Sequence, residues 1–281
     1  MNAITEAPSQ AMPALRELIL AQRDFHRIRD LIYRHAGIVL ADHKREMVYG
    51  RLARRVRALQ VDSFCDYVDR LEERPGDPEW EHFINALTTN LTSFFREPHH
   101  FPLLAQHFAG RRDRVRVWCA AASTGEEPYS IAITLREALG GQVPFEVVAT
   151  DIDTDALARA RQGVYRLDQL GKLEQERLHR NFLRGSGSMA GYARVRPEVA
   201  QHVSFSPLNL VSTRWPVEGQ FDAIFTRNVM IYFDQSTQSR ILERIAPLMK
   251  PDGLLFAGHS ESFSYVSERF RLRGQTVYTL A

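Results

Sequence analysis

The 281-residue sequence predicts an α/β fold built on a mostly parallel sheet, preceded by an all-α unit and interrupted by a small antiparallel insertion. Three observations carry this expectation. Four helix-period stretches fill the chain up to about residue 88, and no strand pattern occurs before Val115. From Val115 onward, short apolar runs rich in β-branched residues alternate with helical ones, as in a parallel sheet covered by helices on both faces. Between Tyr165 and about residue 196 that alternation fails, and Arg184-Gly-Ser-Gly-Ser-Met-Ala-Gly191 reads as the tip of a hairpin.

The elements follow in order. Residues 1–13 carry Pro8 and Pro13 among small polar residues and read as disordered or loosely attached. Asp24 can N-cap a helix with Phe25, Ile28, Leu31 and Ile32 on one face, and Gly37 ends it. A second helix covers 44–59 with Met47, Leu52, Val56 and Leu59 inward. Ser63 caps a third, with Phe64, Tyr67, Val68 and Leu71 inward, and Pro75-Gly76 stops it. A fourth spans 79–87, which closes an all-α domain at about residue 88. Strands are expected at 115–119, 145–150, 203–206, 222–226, 254–258 and 276–280, and helices near 98–108, 126–138, 153–161 and 236–248. No convincing helix joins the last two strands, so one of them is expected to run antiparallel at or near the edge.

Bulk properties exclude several classes. The formal net charge of +2 gives no global attraction for nucleic acid, so any basic partner surface must be local. There is no charged-then-apolar leader and no apolar run approaching the ~18 residues of a membrane span. Cys65 and Cys119 each sit in an apolar pattern and make neither a disulfide framework nor a zinc site. A cytoplasmic, reduced, monomeric protein without direct membrane insertion is the expectation. The second helix carries Arg51, Arg54, Arg55 and Arg57, which cannot all share the inward face. They read as an exposed basic ridge, either a solvated face or a dock for an acidic surface. No aromatic residues interleave to stack bases, so an acidic protein is preferred to nucleic acid.

The chemistry is organised around Val117-Trp-Cys-Ala-Ala-Ala-Ser-Thr-Gly-Glu-Glu-Pro-Tyr-Ser130, a buried strand, a loop of small residues and a helix start. This is where α/β proteins place a nucleotide. There is no G-x-G-x-x-G, however, and Glu126 and Glu127 would repel a diphosphate, so a neutral or cationic ligand suits the loop better. Other strand ends converge on it. Asp151 follows the second strand, placed to accept ribose hydroxyls, while Asp153 caps the next helix and leaves Asp151 free. Asn209-Leu210 can bracket an adenine, and Arg227-Asn228-Val229-Met230-Ile231-Tyr232-Phe233 follows the fourth strand. Together these make the layout of an S-adenosylmethionine (SAM) site, with Glu127 suited to the cofactor's amino group. His259-Ser260-Glu261 are adjacent and cannot form a triad, so they read as packing or capping. His99 and His100 have no partner at metal-ligand spacing and read as surface residues, so no metal is expected.

Longer stretches sharpen the reading. RDLIYRHAGIVLADHKREMVYGRLARRVRAL, NALTTNLTSFFRE, AAASTGEEPYSIAI, DIDT, RNVMIYFD and KPDGLLFAGHSE together resemble the CheR family of chemotaxis receptor methyltransferases over nearly the whole chain after the first twenty or so residues. The resemblance implies a class I SAM-dependent methyltransferase domain (Rossmann-like) at 89–281 with a β-subdomain inserted at about 165–200, behind a receptor-facing helical domain at 1–88. It implies esterification of glutamates on the cytoplasmic helical bundle of methyl-accepting chemoreceptors, with S-adenosylhomocysteine as product. Cofactor contacts are implied at Asn90, Thr92, Arg96, Glu127, Asp151, Asn209, Leu210, Asn228 and Val229, and substrate-side catalytic roles at Arg96 and Tyr232. The arginines 51, 54, 55 and 57 resemble the family's receptor-facing surface, and the insertion resembles a dock for a receptor C-terminal pentapeptide. Two rival functions were weighed on the residues: a SAM-binding regulatory module without transferase activity, and a methyltransferase for RNA or a small molecule. The latter would be expected to carry an N-P-P-Y-type signature where RNVMIYF stands.

Overall fold

A computed structural model describes residues 18–141, 143–171 and 173–281, so the expectation for residues 1–13 lies outside the described residues. Four helices open it: α1 (Gln22–Ala36), α2 (Arg45–Ala58), α3 (Phe64–Glu73) and α4 (Glu79–Leu87). They bury Phe25, Ile28, Leu52, Phe64 and Phe83 in a core of their own. Ser63 caps α3 as expected, its hydroxyl accepting the Asp66 N–H at 3.1 Å. Asp24 does not cap α1. The helix starts earlier, after Ala21, and Asp24 lies buried in its first turn, where a carboxylate suits the helix dipole. In α2 the inward row is Val48, Leu52 and Val56, spaced four apart, with Ala53 beside it, while Met47 and Leu59 are only half-buried. Gly37 ends α1 at φ +70°, and a Cβ there would lie 2.6 Å from Val211 Cγ1, so the helical unit meets the rest of the chain backbone-close at this point.

The basic ridge on α2 is not uniformly exposed. Arg51 donates to the Ala86 and Thr88 carbonyls, which the end of α4 would otherwise leave open. Arg55 pairs with buried Glu79 at the start of α4, Nε to Oε1 2.8 Å, and the Tyr67 hydroxyl donates to the same oxygen at 2.9 Å. Two of the four arginines therefore clamp α4 at both ends, and Arg54 and Arg57 remain exposed.

The remainder is built from α5 (His100–Phe108), β1 (Val115–Cys119), α6 (Glu126–Ala138), β2 (Phe145–Asp151), α7 (Thr154–Gln162), β3 (Val164–Arg166), α8 (Gln175–Asn181), β4 (Phe182–Arg184), β5 (Tyr192–Val195), α9 (Pro197–Ala200), β6 (Val203–Pro207), β7 (Phe221–Thr226), α10 (Gln235–Ile245), β8 (Met249–Ala257), β9 (Phe270–Gly274) and β10 (Val277–Leu280). The seven-stranded sheet has the order β6-β2-β1-β7-β8-β10-β9. Its first five strands are parallel, and β10 lies antiparallel between β8 and β9. An antiparallel late strand near the edge is as expected, since β10 lies one strand from it. The edge strand itself, β9 (Phe270-Arg-Leu-Arg-Gly274), is not among the expected strands, and its Arg271 and Arg273 are exposed, as charges on edge strands are. Every residue of β7 is buried, as in a strand covered on both faces. The insertion is a three-stranded antiparallel sheet, β3-β5-β4, with the Gly-Ser-Gly segment joining its β4–β5 hairpin. Among the described residues, no helix is long and apolar enough to cross a membrane.

Replacing Arg55 with alanine leaves the Glu79 carboxylate buried without its cation. The expected loss is about 3 kcal/mol of unfolding free energy, read by urea denaturation, whereas Arg54→Ala is expected to change stability by less than about 0.5 kcal/mol.

Candidate active site

The strand order reverses between β1 and β7, the position at which open α/β sheets bind ligands beyond their strand ends. A cleft lies there, with about 920 Å³ of empty space including its open mouth. It is lined by the loops after β1, β2, β6 and β7 and roofed by residues 36–38 and 87–92 of the helical unit and its junction. Asn90, Thr92, Arg96, Glu127, Asp151, Asn209, Leu210, Asn228, Val229 and Tyr232 all line this one cleft. The arginines of α2 are not among its lining residues.

The loop after β1 is held open by backbone bonds. Ala120 N–H donates to Phe225 O and Ala122 N–H to Thr150 O, each at 2.9 Å. Gly125 adopts φ +99°, and a Cβ there would meet the Tyr165 hydroxyl at 2.7 Å and Ala160 Cβ at 2.9 Å. Asp151 is not left free by its neighbour: its carboxylate accepts the Ser123 N–H at 2.7 Å and the Asp153 N–H at 2.9 Å. Two backbone donors fix its orientation and leave lone pairs for a ligand hydroxyl. Burial pushes the Asp151 carboxyl up to about 6, against the pull of those N–H groups. Asp153 caps α7 through Ala156 N–H (2.8 Å), as expected. Its other oxygen accepts both the Thr88 hydroxyl and the Asn90 amide at 2.6 Å. Asn90 in turn accepts the Ser123 hydroxyl at 3.0 Å, so the junction is stitched to the loops of β1 and β2.

Glu127 was expected to be available to a ligand amine. It faces the cleft but is already ion-paired: Arg227 Nη1 donates to it at 2.8 Å, and the Cys119 thiol lies 3.3 Å from its other oxygen. Burial raises the Glu127 pKa, and Arg227 pulls it back down. Arg227 is a residue that the sequence reading left without a role, because an arginine directly after a strand carries no sign of being buried. It is 3% exposed. Its Nη2 donates to the Arg96 carbonyl and lies 3.4 Å from Glu97. Burial opposes ionisation of Glu97, yet Arg227, the His259 backbone and Asn228 hold it below the usual carboxylate range.

Arg96 lies between Phe95 (φ +51°) and Glu97 (φ +53°), two left-handed residues. Each such conformation costs about 1–2 kcal/mol. Its guanidinium donates to Leu91 O at 2.7 Å and is paired with no carboxylate among the described residues. Asn228 is left-handed as well (φ +57°), and the Glu261 carboxylate caps its loop by accepting the N–H groups of Asn228, Met230 and Gly258 at 2.9, 2.8 and 2.6 Å. The capping role expected for the 259–261 stretch thus falls to Glu261. Tyr232 stands at the end of a 3₁₀ turn (Met230–Tyr232), and its carbonyl accepts Val39 N–H at 2.9 Å. Asn209 does not hold its amide out for an adenine. Its Nδ2 donates to His35 O at 2.6 Å and its Oδ1 accepts Val211 N–H, so it ties the end of α1 to the loop after β6.

His100 is buried, not a surface residue: Nε2 lies 3.0 Å from Gln275 O, and burial lowers its pKa to about 4. Donor atoms of Glu97, His99 and His100 fall within 4.8 Å of one another, close enough to surround an ion. The Arg227 guanidinium, 3.4 Å from Glu97, already occupies the neighbourhood that a cation would take.

The donor set tests what the cleft accepts. Carboxylates at Asp151 and Glu127 and amides at Asn90 and Asn228 face apolar Ile38, Leu208, Leu210 and Val229. Acids at the β1 and β2 strand ends suit hydroxyls and a cationic group and repel phosphates. A flat apolar base fits the remaining wall. The residues present fit S-adenosylmethionine.

Comparison with known proteins agrees. Residues 23–88 match the model of the CheR methyltransferase all-alpha domain, and residues 90–279 that of the CheR methyltransferase SAM binding domain. The chain is 58% identical over 265 residues to a chemotaxis protein methyltransferase of Escherichia coli (strain K12), covering 94% of this chain and 93% of that protein. It is 52% identical over 270 residues to chemotaxis protein methyltransferase 2 of Pseudomonas aeruginosa, covering 95% and 96%.

Because Asp151 ionises near 6 in the fold against about 3.9 unfolded, the native state holds more protons between those values. Its contribution to stability is therefore greatest below pH 4 and falls as pH rises through 6. Carboxyl titration by NMR is expected to place Asp151 near 6, and Asp151→Asn to remove this segment of the stability–pH curve.

Proposed function

The chain belongs to the CheR methyltransferase family, and we propose that it moves a methyl group from S-adenosylmethionine to glutamate side chains of chemoreceptors. The fold is that of a class I SAM-dependent methyltransferase with an N-terminal all-α domain and an inserted antiparallel sheet, and the chain is a SAM-dependent methyltransferase. The observation that supports the finer reading is the single cleft lined by every residue expected to bind the cofactor, with the guanidinium of Arg96 ion-paired to no carboxylate among the described residues.

When bound, SAM supplies a methyl group made electrophilic by its sulfonium. The chain's own residues have the tasks of binding, orientation and exclusion of water. Asp151 would hold the ribose hydroxyls, and Asn90, Glu127 and Asn228 would bound the rest of the cofactor. A glutamate acceptor, with a pKa near ~4.3, is ionised at neutral pH and needs no general base. Its oxygen forms the new O–CH₃ bond as the S–CH₃ bond breaks, and no proton moves. Arg96 orients the acceptor carboxylate and Tyr232 steadies it, so that positioning carries most of the rate. The opposite charges of donor and acceptor cancel in the transfer, which favours a site shielded from water.

The receptor is read as meeting the helical domain, residues 1–88, through Arg54 and Arg57, because Arg51 and Arg55 are committed to α4. Residues 89–281 carry the catalytic domain. The order β3-β5-β4 leaves β4 as an open edge to which a receptor C-terminal pentapeptide can add as a strand. A monomer working in the cytoplasm without a metal completes the proposal.

Incubation with methyl-labelled SAM and a chemoreceptor cytoplasmic fragment is expected to give base-labile label, released as methanol, that disappears when the target glutamates become glutamine. Cofactor binding without any transfer would instead support the regulatory-module reading. Arg96→Ala and Tyr232→Phe are each expected to lower kcat about tenfold or more, roughly 1.4 kcal/mol, with SAM affinity little changed by calorimetry. Normal turnover in both would remove their roles. Arg54→Glu with Arg57→Glu is expected to raise KM for the receptor about tenfold and leave SAM binding intact.

A further inference from the structure

The reading above leaves one buried cation without a part in the reaction. Arg227 follows β7 directly, has its guanidinium enclosed, and spends its two terminal nitrogens on different elements. Nη1 donates to Glu127, at the start of α6. Nη2 donates to the backbone carbonyl of Arg96 and stands 3.4 Å from Glu97 Oε2. Among the described residues its Nε has no partner, and the hydrogen bonds of the side chain go to α6 and to the segment that carries Arg96.

That segment cannot hold its shape unaided. Phe95 and Glu97 flank Arg96 with φ of +51° and +53°, a conformation that neither a bulky aromatic residue nor a glutamate adopts without help. Local backbone bonds help, Arg96 N–H to Ser93 O at 3.3 Å and His100 N–H to Glu97 O at 3.2 Å, and the Phe95 ring packs on Phe101 and under Arg177. The fixings on the polar groups from distant elements are specific. Phe95 N–H donates to Ser130 Oγ at 3.0 Å. The Arg96 carbonyl accepts from Arg227. The Glu97 carboxylate is approached by Arg227, by Asn228 Nδ2 at 3.3 Å and by the rings of His259 and His100 at 3.5 and 3.8 Å. A forked cation serves Glu127, the Arg96 carbonyl and the Glu97 carboxylate together; a lysine ammonium on this stem is a single point charge.

We propose that Arg227, acting with Glu97, is a positioning residue for methyl transfer, locking segment 95–97 in its strained conformation and so fixing where the Arg96 guanidinium meets the acceptor carboxylate. The inference rests on the orienting role given to Arg96 above.

The test uses the full chain with SAM and a receptor cytoplasmic fragment. Glu97→Gln keeps the shape of the side chain and leaves the Arg227–Glu127 pair in place, and Arg227→Lys keeps the charge but loses the fork. Glu97→Gln is expected to lower kcat about tenfold, with calorimetric SAM affinity and thermal midpoint close to those of the parent. In an Arg96→Ala background the same substitution is expected to cost nothing further, because a group that acts through Arg96 has nothing left to position. Arg227→Lys is expected to lower kcat by a similar factor, and if that variant fails to fold, the Glu97→Gln cycle decides alone. An unchanged kcat in Glu97→Gln, or an equal loss in both backgrounds, overturns the inference while leaving Arg96 in its role. Full activity of Arg96→Ala overturns the role of Arg96 itself, and the inference with it.

Discussion

The carboxylate of Asp153 accepts hydrogen bonds from three directions at once. One oxygen takes the Ala156 N–H and so starts α7, while the other takes the Thr88 hydroxyl and the Asn90 amide from the segment that leaves α4. Buried acceptors of this kind are costly when unpaired, so the start of α7 and the path of the junction are set together. The consequence reaches the cleft. Residues 87–92 form its roof only because the junction is pinned across the ends of β1 and β2, and Asn90 faces the loop after β1 through Ser123. The helical domain is thus more than an appendage, because part of the wall of the cleft belongs to its exit.

Two further contacts make the same point from the other side of the cleft. Asn209 reaches the last turn of α1 at His35 O, and Val39 N–H donates to Tyr232 O. Tyr33 on α1 also donates its hydroxyl to Asp234 at 2.6 Å. The loops after β6 and β7 are therefore referenced to α1, and a residue proposed to face the acceptor, Tyr232, has its backbone fixed by the helical domain. Positioning catalysis depends on such references, since reactants held in line can account for about 7–11 kcal/mol of a barrier.

The charged side chains lining the cleft are two acids, Glu127 and Asp151, and two cations, Arg96 and Arg227. Arg227 is shared between Glu127 and Glu97, whereas the Asp151 carboxylate accepts backbone N–H groups of Ser123 and Asp153. Carboxylates at the β1 and β2 strand ends suit hydroxyls and a cationic group there, which answers why a βα loop in the nucleotide position carries two glutamates and no phosphate-binding glycine pattern. Glu261 stands apart from the acids of the cleft, its carboxylate accepting the backbone N–H groups of its neighbouring loops.

Much of this was legible before any coordinates. Helix and strand periods, the Ser63 and Asp153 caps and the Gly37 stop are local properties, set by side chains within a few residues of one another, and they placed most elements outside the insertion, though not the edge strand β9. The alternation of strands and helices implied a parallel sheet, and hence that Glu127, Asp151, Asn209 and Asn228 would meet at its strand ends, while Asn90 came only from the family resemblance. What the sequence left open depends on partners far along the chain. The roles of Arg51 and Arg55 are decided by where α4 lies, and those of Asn209 and Glu127 by His35 and Arg227. A hydrogen-bonding side chain does not announce which of several distant groups will satisfy it. His100 reads as a surface residue and Arg227 receives no role for the same reason, since burial of a charged or titratable group is a property of the packed whole. The sequence by itself determined the elements, their order and the ligand class. Only the tertiary structure decided which polar groups remain free to act, because that is settled by three-dimensional pairing.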